Sequence, residues 1–167
     1  MDEIEHLMRV HTKHAIWNFT RDIFIFCVFA GITCIDLRNL NHSNIQRQED
    51  GSLWIVLNRQ EAGTTSYIPL LDISIQIIDR YRGSEFAGEN GSVFKLQTHV
   101  NMKWQLKRLA KIAKIDKRLT FRMSRFSFAT TICLTQGVPI ETFSQMMGHP
   151  SITTTHNHSN LCGGDSD

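Results

Sequence analysis

Hydrophobic positions change period several times along this chain, and each change marks an element. Ile4, Leu7 and Met8 recur at helical spacing, which predicts a short amphipathic helix over Asp2–Arg9. Thr20 is the expected cap of the next helix, with Asp22 in its first turn. "DIFIFCVFAG" is apolar on every side, so that helix should be central and fully buried, with Gly31 as its stop. "CIDLRNL" reads as a short helix or turn with Ile35, Leu37 and Leu40 inward. The runs "LWIVL" and "YIPLL" flank a turn region and predict a small hairpin, whose second strand Pro69 confines to an edge. Asp72 should cap "DISIQIIDRYR", where Ile73, Ile77 and Tyr81 share a face, and "VFKL" is a further strand candidate. Thr98 opens a helix to about Ala113, with Trp104, Leu106, Leu109 and Ile112 inward. "FRMSRFSFATTICLTQG" predicts a helix ended by Gly137, and "VPIETFSQMMG" another, with Pro139 and Glu141 in its first turn and Gly148 as its stop.

Composition narrows the class. A chain of 167 residues suits one domain and can bury a sizeable core. With 41% hydrophobic and 20% charged residues it is ordinary globular material. The net charge of +2 demands no nucleic-acid partner, so a basic surface must come from clustering. The clearest cluster is on the helix opened by Thr98: Lys103, Lys107, Arg108, Lys111 and Lys114 lie outward with no acid between them. That face is either simply solvated or tracks phosphates. Cys27, Cys34, Cys133 and Cys162 form no C-x-x-C pair, which disfavours a structural zinc ribbon and fits a reduced, cytoplasmic protein. Ile23–Ile32, the longest apolar stretch, falls short of the roughly 20 residues that cross a bilayer.

The order of motifs says more. "FAG" closes the buried helix, the hairpin follows, then "TFRMSRFSFATT" and "GVPIETFSQMMGHPSITTT". This order resembles the catalytic domain of the tyrosine recombinases, or phage integrases, from about Glu3 to Asn160. The most specific part is Leu119 to Thr155, with its helix, glycine turn, helix, Gly-His and Ser-Ile-Thr-Thr-Thr in order. The resemblance implies a mainly helical (α+β) fold with a small antiparallel sheet over residues 1–160; beyond it, the "GGDSD" ending reads as a disordered tail over 161–167. It also implies that the family's preceding core-binding domain is absent from this chain. The implied partner is double-stranded DNA, with self-association on DNA (a tetramer in the family), in recombination or integration by a mobile genetic element. No membrane, small-molecule substrate, metal or cofactor is implied, and the location would be cytoplasmic, at the nucleoid.

In the family, a tyrosine attacks a DNA phosphodiester and is displaced by a DNA hydroxyl. Two arginines clamp the phosphate oxygens as charge builds on them. A hairpin lysine protonates the leaving oxygen, a histidine assists proton transfer, and a second histidine bonds the phosphate. Carried onto this sequence, the first arginine position holds Thr33 and the hairpin lysine position holds Glu61. The first histidine position holds Arg122, the second arginine is retained as Arg125, and the phosphate histidine as His149. The tyrosine position, nine residues after His149, holds His158.

Each departure has a chemical cost. Losing one transition-state donor, as Thr33 implies, commonly lowers rate by about 10²–10³. An ionised Glu61 repels a phosphate and has no proton to give. Arg122 keeps its charge but cannot shuttle a proton near neutral pH. His158 removes the phenol. These changes imply a scaffold kept without its turnover, or a DNA-binding, regulatory paralogue. "GHPSITTTHNHSNLC" admits a separate reading as a metal site built from His149, His156 and His158. His156 and His158 are two apart, so they diverge on a helix and share a side only in an extended segment. His158 therefore stands open as a surface histidine, a metal ligand or a substitute nucleophile. Lys103, Lys107, Arg108, Lys111 and Arg122 are the candidate DNA contacts.

Overall fold

The computed structural model describes residues 2–59 and 63–130, together with Gly137, Pro139, Glu141 and Thr142. Its helices are α1 (Asp2–Met8), α2 (Ala15–Ala30), α3 (Cys34–Arg38), α4 (Asp72–Tyr81), α5 (His99–Ile112) and α6 (Phe121–Ser127). The strands β1 (Ile45–Arg47), β2 (Leu53–Arg59) and β3 (Thr64–Pro69) form one antiparallel sheet in the order β1-β2-β3. The domain is thus mainly helical with a small sheet, as the sequence predicts.

Helix α2 is the axis. It packs against α1, α4, α5 and α6 and is buried without a break from Phe19 to Val28. Such a helix is stabilised by tertiary burial rather than by an amphipathic face. Its start corrects the sequence reading. Thr20 is not the cap; the helix begins at Ala15, and Thr20 lies inside it with its hydroxyl donating to Gln105 Oε1 on α5. Asn18 instead ties down the preceding turn, its Oδ1 accepting from Thr12 N at 2.9 Å.

Arg21 and Asp22 look like surface residues in the sequence. Both are buried, at 5% and 4% exposure. Arg21 Nε donates to Asp22 Oδ1 at 2.9 Å, and its Nη1 donates to Val10 O beyond α1. Asp22 Oδ2 accepts from Arg80 Nη1 at 2.9 Å and from the Tyr81 hydroxyl, both on α4. Burial, and then the Asp22 carboxylate, push the Tyr81 phenol well above its ordinary pKa, so it stays a donor.

Other differences are local. Asp72 lies in the first turn of α4, but Leu71 holds the cap position. Ile35 is 72% exposed rather than inward, while Leu37 and Leu40 are buried. On α5 the buried stripe is Met102, Gln105, Leu106, Leu109 and Ala110; Trp104 and Ile112 are each 49% exposed. Thr98 caps α5 as expected, accepting from Asn101 N. Strand β1 was not foreseen; its residues are partly or fully exposed, so no alternation marks it. "VFKL" contributes only an isolated bridge between Phe94 and Ala87. The β2–β3 hairpin pairs Ile55 with Ile68, both fully buried, and β3 is an edge strand, as Pro69 requires. Gly137 has a φ of 69°, suited to ending a helix, but residues 131–136 and the 161–167 tail lie outside the described residues.

Asp22→Ala leaves Arg21 buried without its carboxylate, so it should cost about 3–5 kcal/mol. Tyr81→Phe removes one bond to a charged acceptor and should cost roughly 1.5–3 kcal/mol. Urea unfolding followed by circular dichroism measures both. A loss for Asp22→Ala no larger than for Tyr81→Phe would show that the carboxylate is not the hub.

Candidate functional site

The site starts where α2 stops. Gly31 adopts a left-handed conformation (φ 67°), and its N–H closes the helix on Cys27 O at 2.8 Å. A β-carbon on Gly31 would overlap the Phe128 ring, so the chain after α6 rests directly on this backbone. Two residues later Thr33 caps α3, its hydroxyl accepting from Asp36 N at 3.1 Å. Helix α6 is set by its own cap, Thr120, which accepts from Met123 N at 3.3 Å. Its period then turns Ser124 into the core, fully buried, and leaves Arg125 half-buried and Arg122 exposed on the other side.

These constraints bring three sequence-predicted positions together. Thr33, Arg122 and Arg125 line one pocket of about 440 Å³. Arg38, Cys34 and His99 share it, and Ile35, Phe121 and Phe126 supply apolar wall. Among the described residues no carboxylate lines it. The Arg122 guanidinium lies over the Phe126 ring at 5.8 Å. Burial pushes the Cys34 thiol up from its ordinary pKa, while the nearby Arg38 pulls it the other way.

A second cavity, of about 630 Å³, runs along α5 and the loop after it. Lys103, Lys107, Lys111, Lys117 and Arg118 line it, with Trp104 in its wall and Asp116 as the one acid among the described residues. Between the two lies a smaller cavity of about 160 Å³, bordered by His99, Lys103, Arg118 and Arg122. His99 and Arg122 belong also to the arginine pocket, and Lys103 and Arg118 also to the α5 cavity, so the basic side chains form one continuous track. Arg108 stands over the Trp104 ring at 4.9 Å, and Trp17 meets Trp104 edge-on at 5.8 Å. Of the candidate DNA contacts, Lys103, Lys107, Lys111 and Arg122 therefore lie on the track, with Arg108 beside it.

Sequence reasoning missed Arg38, His99 and Arg118. Arg38 had a signal: it stands four residues after Cys34, which puts the two on one face of α3. Arg118 sits outside any periodic run and had none. Glu61, His149, His156 and His158 lie outside the described residues. Among the described residues no three His, Cys, Asp or Glu side chains are grouped to hold a metal ion, and no helix is long and apolar enough to cross a membrane.

A helical domain with a three-stranded sheet at its side and an arginine pocket beyond the end of its central helix belongs to a known class. The chain is a member of the phage integrase family, whose model matches residues 1–161. Solved structures share the fold at low identity. The XerH site-specific recombinase, bound to palindromic difH substrate in a post-cleavage complex, superposes with a TM-score of 0.75 at 17% identity, covering 96% of this chain and 47% of that one. XerA recombinase gives 0.74 at 20% identity, covering 96% and 58%. The Tn1549 transposon integrase in complex with a circular-intermediate DNA gives 0.69 at 18% identity, covering 92% and 58%. This chain thus spans about half the length of the solved proteins it matches. No curated protein matches it.

Gly31→Ala combines a left-handed φ with overlap of a core ring and should destabilise by more than about 2 kcal/mol. Phe128→Ala should cost about 3–5 kcal/mol by itself. Because the two share one space, the double variant should fall short of the sum in thermal or urea unfolding. Full additivity would mean that the contact does not join the two segments.

Proposed function

We propose that this chain is a tyrosine-recombinase catalytic domain that binds double-stranded DNA and has lost most or all of its strand cleavage. The observation that carries the reading is the arginine pocket with its basic extension. Arg125 and Arg122 come from one helix and the cap residue Thr33 from another, yet all face one cavity. A phosphate there would meet arginines and, among the described residues, no carboxylate, and the track beyond offers Lys103, Lys107 and Lys111 to neighbouring phosphates. Phosphate contacts of this kind fix register on a duplex without reading bases.

The loss of cleavage is read from chemistry. Clamping a phosphate stabilises a transition state only if a nucleophile and a leaving-group acid are also present. The sequence offers His158 for the phenol, Glu61 for the lysine, Thr33 for an arginine and Arg122 for a histidine. Arg125 and His149 remain. The chain would then occupy DNA in the manner of a recombinase, alone or with other subunits, without turning it over.

Arg125→Ala should weaken duplex binding and lower the slope of log K against log salt by about one, the signature of one lost phosphate contact. Fluorescence anisotropy across a salt series measures it, and an unchanged slope would remove Arg125 from the phosphate. Incubation with a library of nicked suicide duplexes should leave no covalent protein–DNA adduct on a denaturing gel; an adduct would overturn the loss of cleavage. Thr33→Arg, Glu61→Lys, Arg122→His and His158→Tyr should restore an adduct only in combination, because such groups act as a unit.

A further inference from the structure

We propose that Arg38 supplies the phosphate-binding cation that position 33 no longer carries, so that Arg38 and Arg125 grip one DNA phosphate within the pocket. The inference rests on the functional reading above and adds a residue to it.

The lining of the pocket and one side-chain contact carry the proposal. Arg38 and Thr33 lie at the two ends of α3 and line the same cavity as Arg122 and Arg125. Helical side chains lean toward the N-terminus of their helix, over the residue four positions back. For Arg38 that residue is Cys34, next to Thr33, and Cys34 lines the same cavity. On the other side, Arg38 Nη2 lies 3.9 Å from Sδ of Met102 on α5, a buried thioether that offers little competition for a guanidinium. Arg38 thus lines the pocket with one thioether contact to α5, and the residue is exposed to solvent.

A simpler role exists for an arginine in the last turn of a helix, where a cation is favoured by the backbone dipole. That role requires only nearness to the final carbonyls. It does not account for a side chain that lines the pocket and rests against a second helix. An arginine with its five donors can also bond two oxygens of one phosphate, which a lysine cannot match.

The test uses the full chain and duplex DNA across a salt series. Arg38→Gln should lower affinity and reduce the salt slope by about one, while Arg38→Lys should keep the slope. Adding Thr33→Arg to Arg38→Gln should restore the slope, because the cation returns to the same pocket from the other end of α3. Arg38→Gln combined with Arg125→Ala should lose less than the sum of the two, as expected for groups sharing a ligand. Circular dichroism of each variant confirms folding. If Arg125→Ala lowers the slope and Arg38→Gln leaves it at the wild-type value, the proposal is overturned while the DNA-binding reading stands. Failure of Thr33→Arg to restore the slope also overturns it. If the wild-type chain binds no duplex at low salt, the functional reading itself fails.

Discussion

Gly31 and Phe128 compete for one space, and the outcome positions everything at the pocket. The glycine backbone lies where any β-carbon would meet the phenylalanine ring. That contact joins two segments far apart in sequence. On one side α2 ends and Thr33 starts α3 two residues later. On the other, Arg125 stands three residues before Phe128, so a turn of helix carries it from the contact to the cavity. The arginines need no long-range attraction to one another to meet; a packed ring against a bare backbone delivers them.

The same helix poses a second problem. An all-apolar rod can be buried in many rotations, because its pattern carries little information about which face meets which neighbour. Three consecutive polar residues remove that freedom. Thr20 is bonded to α5, Arg21 to the chain leaving α1, and Asp22 to Arg80 and Tyr81 on α4. Each is satisfied in one rotation only, and any other would bury charge without a partner at a cost of several kcal/mol. With the rotation of α2 set in this way, its C-terminal glycine faces α6.

Much of this was legible in the sequence, and the failures have physical reasons. The central helix and its glycine stop follow from unbroken hydrophobicity and chain chirality, and both are present. Its start was misplaced because Arg21 and Asp22 carry the signature of a helix terminus, and only the fold reveals that they neutralise each other. Trp104 and Ile112 were placed inward on hydrophobicity alone, yet the true stripe follows Met102, Leu106 and Leu109, and the two sit beside it, with Trp104 covered by Trp17 and Arg108. At the site, Thr33, Arg122 and Arg125 could be named from motif order. Arg38 and Arg118 could not, because they lie outside the motifs and join the site through side-chain direction and loop placement.

The central claim is that a DNA phosphate sits among the arginines of the pocket. Side-chain 1H–15N spectra of the arginine Nε–H groups during titration with a short duplex at low salt observe that directly. The resonances of Arg122 and Arg125 should shift together and saturate, while that of Arg82, ion-paired with Asp79 on the outer end of α4, should stay in place. Arg122 and Arg125 resonances that remain unmoved at saturating DNA would contradict the claim.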